Sequence, residues 1–534
     1  MGFNARVVLE RPNRGKAARS RVALVLSAGL LATLGNVISG PAANAQGVAT
    51  TRVPARSGGA LVVGDTSSVQ KLDPDVVTNF LDFQALGLVY DQLVQYNAKL
   101  QLVPDLATHW AYSDANKLLT FQLRKGVTFN DGSSFTSANV VASLDRAIAP
   151  KTGDASASFL ANVKKIVATG PYTVQFQLST PDTSVLDGLT SVNLSILSTK
   201  AIAAGTLAKA PDGTGPFEFS SWSPGNSFVV KANPTYWGGK VSLSSVKIET
   251  IPSEQSIASA VEANTVQIGL LTEPQVAAHL PSPIVDQKVL DLTYRALMLQ
   301  DKTGPLANVD NRLAIACATN RSDVLNEAVF GAGQVVGPVP LGVFASNPVS
   351  AVCPTQDIAL AKAYLKKAGD PNGFSFTALT STDLDPTSAA QATVMQSELA
   401  QAGIIMHPDN VAEDAYIQDW LKGKFQAAFA WNGADPDPYT MYGRYFGGGA
   451  NLGVPAGYSS PTLAKLLAQG DTASGLATRK AIWTQFSNAL TSNAVWIWLF
   501  TAYDYAAVTS NVHGFTLAPT NSTSLASLRS TTLS

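Results

Sequence analysis

Apolar positions alternate with polar ones at Phe217 and Phe219, and Phe228-Val229-Val230 forms a second short apolar run after the turn Ser223-Pro224-Gly225-Asn226. That period of two, bracketed by Pro and Gly, predicts an antiparallel hairpin. The same reading assigns strands to Leu61–Val63, Leu118–Leu123, Val127–Phe129 and Val174–Leu178, and further on to Val246–Ile251, Gln267–Leu270 and Phe374–Leu379. Ile404–Met406, Gln426–Trp431 and Val495–Phe500 complete the set, the last two as nearly continuous apolar runs fit for burial on both faces. Period 3.6 predicts helices over Ser137–Ile148, Lys200–Leu207, Gln255–Asn264, Ile358–Ala368 and Ala389–Ala402, and others through Asp310–Ala318, Trp420 and Trp483–Leu490. Thr136 and Asp357 stand where N-caps belong, and Gly369 and Gly403 where helices stop. Leu86, Val89, Tyr90 and Leu93 also have helical spacing, with Asp75–Phe83 ahead of them as a loop. The alternation of strand and helix after residue 357 predicts an α/β lobe. Gly331–Pro340 reads as a Gly/Pro loop, and the chain holds no internal repeat and no low-complexity linker.

At 534 residues the chain is too long for one core, so two or three lobes are expected. Its charge is uneven. Residues 1–45 carry Arg6, Arg11, Arg14, Lys16, Arg19 and Arg21 against Glu10, and the remainder is mildly acidic without a basic stripe, which disfavours nucleic acid. The basic segment, the apolar run Val22–Ile38 and Ala43-Asn44-Ala45 together describe a secretory signal cleaved after Ala45. A retained anchor is the rival, weakened by the shortness of the run and by Gly35 and Pro41 at its end. No Cys stands at the cleavage site, so lipidation there is excluded, and a periplasmic location follows. Export would place Cys317 and Cys353 where disulfides persist. A bridge closing a loop of about 37 residues would contribute roughly 3–4 kcal/mol; two separate buried thiols are the alternative.

Enzyme signatures are missing. His109, His279, His407 and His513 lie far apart and form no metal-ligand spacing. There is no G-x-S-x-G elbow and no P-loop, and Gly331, Gly333 and Gly337 miss the dinucleotide spacing and run into Pro338. No catalytic residue and no cofactor or metal is assigned. The segment Phe429–Tyr439, FAWNGADPDPY, is more informative: an apolar strand delivers Trp431 to a loop of Gly, Asp and Pro. Such a loop can set an aromatic wall and acidic acceptors beside a cleft, although a core Trp followed by an Asp-Pro turn has the same letters. Asp435-x-Asp437 lacks the downstream acids a calcium loop needs.

Three stretches carry a resemblance. Gly213-Thr-Gly-Pro-Phe217, Trp222 and Asn233-Pro-Thr-Tyr-Trp237 follow one another in the order of the central signature of the family 5 extracellular solute-binding proteins, the dipeptide, oligopeptide and nickel binding components of ABC importers. PDLATHW at 104–110 and FQLRKGVTFNDGSSFTSANVVASLDRA at 121–147 are similar to its N-terminal signature, and Leu72-Asp73-Pro74 to its entry. The likeness spans roughly residues 60–520. It implies a periplasmic-binding-protein-like α/β fold: two lobes on a two-stranded hinge, with an additional domain on the first. The implied division is a signal peptide over 1–45; lobe I from 46–85, 200–297 and 503–534; the additional domain from 86–199; and lobe II from 298–502. Hinge crossings are expected near Leu297–Asp301 and Ile497–Tyr503. It implies capture of a small solute, a peptide or peptide-like compound, by a monomer that delivers it to permease subunits in the inner membrane.

In peptide-binding members an Asp of the Trp-x-Gly loop grips the peptide's α-ammonium. Aligned on Trp431-Asn432-Gly433, that position is Ala434 here, and a one-residue shift gives the role to Asp435. Matching loops add Thr78, Asn79 and Phe80 from the first lobe, Phe159 from the additional domain, and Asp414, Tyr416 and Tyr439 from the second, with Tyr442 and Phe446 beyond. The other classes left open are a secreted hydrolase, an exported scaffold or chaperone, and capture of an opine, a glycoside or a metal chelate.

Overall fold

The computed structural model describes residues 58–154, 156–339, 341–345, 351–433, 435–448, 450, 452–519 and 524–534. The signal segment and Ala434 lie outside them. Twelve of the described strands join in one mixed sheet. Its axis is Trp496–Val508, apolar along most of its thirteen residues. The first part of that strand pairs with Tyr294–Leu299, which leads on to Ala427–Asn432, Ser375–Thr380 and Ile405–Asn410. Its second part pairs with Val285–Leu290 on one side and Ile268–Leu271 on the other, leading to Ala60–Asp65, Ser245–Thr250 and the hairpin Phe217–Ser223/Ser227–Ala232. One strand thus belongs to both halves of the two-lobed, three-domain fold.

Where the halves meet, the Thr501 hydroxyl lies 2.6 Å from the carbonyls of both Asp291 and Thr293. The chain therefore crosses at Asp291–Thr293 and at Thr501–Tyr503. The first crossing falls ahead of the expected Leu297–Asp301, because Tyr294–Leu299 is already fully paired with Ala427–Asn432.

Separate cores back this arrangement. Leu61, Val63, Phe217, Phe228 and Ile268 pack together in the first half. Phe121, Phe176, Val140 and Leu144 fill a core beneath the antiparallel sheet Ala107–Ser113/Leu118–Leu123/Thr173–Leu178/Val163–Gly170. In the second half one face of the sheet is aliphatic, around Leu365, Phe376 and Leu399, and the other aromatic, around Tyr442, Trp483, Trp496 and Trp498.

The Gly-Thr-Gly-Pro stretch has a packing reason. A Cβ on Gly213 or Gly215 would come within 2.1 or 2.6 Å of the Val89 carbonyl oxygen, so the backbones can approach only without one. Between the two glycines, Thr214 donates to buried Asp91 at 2.8 Å, as does the indole of Trp237.

Cys317 and Cys353 are joined in a disulfide, with Cα atoms 5.0 Å apart. Helices Ser137–Ile148 and Ile358–Ala368 have the expected bounds, and Asp357 accepts from Leu360 N at 2.8 Å. Three local expectations fail. Leu86–Leu93 is not a helix: the helix is Phe80–Leu86, beginning inside the expected loop, and Leu88–Leu93 turns through two cores before the strand Val94–Tyr96. Val127–Phe129 forms only the isolated bridge Thr128–Ser134. Gly331–Pro340 contains the edge strand Gly333–Val335.

Candidate functional site

The strand Ala427–Asn432 is buried except at Trp431, which is 38% exposed. Register sets Trp431 opposite Arg295 on the neighbouring strand. The Arg295 guanidinium carbon lies 4.7 Å from the centre of the Trp431 ring and 5.7 Å from that of Phe500. Arg295 is only 8% exposed, and its charged neighbour is Asp385, 3.7 Å from Nε. Strand alternation turns Asn432 inward, where it accepts from the Tyr445 hydroxyl at 2.9 Å and donates to the Met298 sulfur at 3.9 Å. Asn432 is therefore a buried strut of the strand rather than a wall of the cleft.

Past Trp431 the loop turns into the helix Pro438–Phe446. Asp437, fully buried, caps that helix by accepting from Tyr439 N at 2.8 Å and forms an ion pair with Arg479. Burial pushes its carboxyl up, and Arg479 opposes the rise. Asp435 is half-buried; burial raises it too, and Arg444 opposes. Arg444 donates to the Gly433 carbonyl at 3.2 Å, which fixes the loop's direction.

Asp435 and Tyr439 share a cavity of about 420 Å³ with Phe159, Asn162, Asp182 and Arg444. Two of the predicted loops, one from each side, therefore meet here. The cavity offers aromatic rings beside charges of both signs. Burial, with Asp471 and Asp182 nearby, pushes the Tyr439 phenol up to about 12, so it remains a neutral hydroxyl.

Next to this cavity the two sides touch directly. Thr183 donates through its backbone N–H (3.0 Å) and its hydroxyl (2.6 Å) to the carbonyl of Asp471. Ser184 N donates to both the Asp182 and the Asp471 carboxylates, at 2.9 and 3.2 Å. Arg479, partner of Asp437, lines a second and more apolar cavity of about 510 Å³ with Tyr96, Tyr112, Leu186 and Phe344.

The remaining predicted residues lie elsewhere. Asn79 caps the helix Phe80–Leu86 by accepting from Leu81 N at 2.8 Å, which occupies its side chain. Thr78 and Phe80 beside it are exposed, on a loop that Asn193 holds through the carbonyls of Pro74 and Val77. Tyr416 is buried, with its hydroxyl on the Phe429 carbonyl at 2.6 Å; it props the strand from beneath and offers a solute no polar atom. Asp414 is exposed in the first turn of helix Glu413–Leu421. Tyr442 and Phe446 are core residues. Sequence reasoning missed Arg295 and the Thr183–Asp471 contact. A lone arginine inside the apolar run Tyr294–Leu299 was the available signal for the first; the second joins residues 288 apart and has none.

Residues 101–453 match the family model of bacterial extracellular solute-binding proteins, family 5 Middle. The chain belongs to the family 5 extracellular solute-binding proteins. This is a family of binding proteins rather than enzymes. The chain is 29% identical to the probable D,D-dipeptide-binding periplasmic protein DdpA of Escherichia coli K12, over 86% of this chain and 92% of the relative. It is similar to the solved structure of the periplasmic binding protein DppA from Helicobacter pylori in complex with the peptide STSA, at 27% identity and a TM-score of 0.74, covering 90% of this chain and 98% of that one. It is likewise similar to AgaA from A. tumefacien R10 in complex with agropinic acid, at 26% identity and a TM-score of 0.74, covering 89% and 99%. Among the described residues no group of His, Cys, Asp and Glu could hold a metal ion, and no helix is long and apolar enough to cross a membrane.

Proposed function

We propose that this family 5 protein captures a small peptide-like solute between its lobes and delivers it, chemically unaltered, to the permease of an ABC importer. The observation that carries this reading is the cavity in which Phe159 faces Asp435, Tyr439 and Arg444 across the lobes. Rings and opposite charges drawn from two sides bind best when the sides are together, and that differential affinity is what lets a solute shift a hinge equilibrium. Trp431 and Asp435 are the primary contacts in this reading, Phe159 and Tyr439 the rings that enclose the solute. The protein acts as a monomer in the periplasm after cleavage behind Ala45. Its lobe I is assigned to 46–85, 200–293 and 503–534, its additional domain to 86–199, and its lobe II to 294–502, the boundary moved from 297 by the pairing of Tyr294–Leu299 with Ala427–Asn432.

A non-peptide solute is the second reading. The likeness to AgaA supports it, as does Ala434 at the position where an amine-gripping Asp is expected. Native mass spectrometry of the purified protein tests both: a co-captured compound, released on unfolding and raising the melting temperature when returned, is the expected result. Conversion of that compound by the protein alone would end the capture reading.

A further inference from the structure

The Arg295 guanidinium has five N–H donors, and among the described residues it makes no hydrogen bond, with Nε shielded from solvent. For Nε this is an anomaly, since a buried donor without a partner costs its full desolvation. Asp385 does not resolve it. Its oxygens are taken by Thr387 N (3.0 Å), the Thr387 hydroxyl (2.7 Å) and Gln391 Nε2 (3.0 Å), and the 3.7 Å approach to Nε is too long for a hydrogen bond.

We propose that Arg295 is a specificity residue of the solute site, whose N–H donors receive a carboxylate of the captured molecule. The inference rests on the capture reading above and names one chemical requirement of it. The guanidinium lies against Trp431, whose ring is exposed near the end of the strand that leads into the loop carrying Asp435. With ring surfaces against it, the group offers its edge, and a planar carboxylate fits that edge with two parallel bonds. An ammonium would meet like charge there, and a neutral amide would leave the buried charge uncompensated.

Two further acids face this end of the site, Asp291 and Asp504. Burial holds both carboxyls above their ordinary value, Asp504 well above it with Asp291 and Glu254 adding to the rise. Arg295 opposes the rise in both.

The test is calorimetric titration of wild type, R295Q and R295K with D-alanyl-D-alanine and L-alanyl-L-alanine and with the C-terminal amide of each. Wild type is expected to bind at least one free acid and to bind its amide about 100-fold more weakly. R295Q is expected to lose about as much on the acid and little on the amide, and R295K, which keeps the charge without the planar fork, to fall between. Unchanged melting of the ligand-free variants separates this from misfolding. An amide that binds wild type within about threefold of its acid, or R295Q within about threefold of wild type, overturns the role of Arg295 and leaves capture intact. Wild type that binds none of the four overturns the peptide-like reading and this assignment with it.

Discussion

Two polar clusters of the molecule have opposite accounts. At the clasp formed by Asp182–Ser184 and Asp471, donors and acceptors from the two sides satisfy one another, and close by the fully buried Asp437 pairs with Arg479. Near the hinge crossing, the Arg295 guanidinium is comparably buried but makes no hydrogen bond among the described residues. Polar groups that complete each other hold a conformation; polar groups left incomplete inside a cleft wait for a partner from outside. The contrast separates residues that hold the lobes together from residues that choose what lies between them.

The largest effect is expected beside the clasp, at the Asp437–Arg479 pair. Asp437→Ala removes a helix cap and one member of a buried ion pair, leaving Arg479 beside Asp187 without its direct partner. Breaking such a pair costs about 3–5 kcal/mol. Denaturant unfolding followed by tryptophan fluorescence measures it, and a loss well below that range would mean that the pair is solvated and the contrast with Arg295 overstated.

The two clusters also differ in how far the sequence exposed them. The lobes were legible because Gly213-Thr-Gly215-Pro and Trp237 answer to close backbone approach and to a shared partner, constraints that leave few residue choices. Phe159, Asp435 and Tyr439 were named from the sequence as loop residues, and they line one cavity. Asn432 and Tyr416 were misjudged because the same letters serve a core: strand alternation and a hydroxyl bonded to Phe429 O decide their direction, and neither is visible in composition. The Leu86–Leu93 spacing showed burial correctly and helix wrongly, since Leu88–Leu93 divides between two cores. The clasp was invisible, because pairing Thr183 with Asp471 is a property of how domains pack.

A smaller effect, of defined sign, comes from pH. Burial first, then Asp182, pushes the Asp471 carboxyl up to about 8. Tyr112, Tyr439 and Asp437 also face this group, and Arg479 is the nearby cation. Where the clasp is open, water restores the ordinary value of 3.8. Between those values the clasped form holds a proton that the open form has released, so the clasp is fully favoured below about 4 and weakens as pH rises through 8. One pKa unit of that difference is worth about 1.4 kcal/mol. Small-angle scattering across pH 6–9 is expected to show opening toward the alkaline end in wild type, and a flat response in Asp471→Asn, which keeps an acceptor for Ser184 N but cannot titrate. Opening toward the acid end would reverse the assignment.

The smallest effect sharpens the comparison most. Arg295→Met fills the space against Trp431 and Phe500 with a flexible apolar chain and removes the buried, unpartnered Nε donor. Ordinarily, deleting one member of a buried charge pair strands the other. Here Asp385 keeps three donors from Thr387 and Gln391, so its charge stays satisfied. Ligand-free stability is therefore expected to stay within about 1 kcal/mol of wild type, or to rise, because the lost group contributed desolvation without bonds. The same variant should lose the solute. A ligand-free destabilisation as large as that of Asp437→Ala would show that Arg295 belongs with the clasp after all, as a strut of the fold, because a residue reserved for a guest can be removed from the empty protein at little cost.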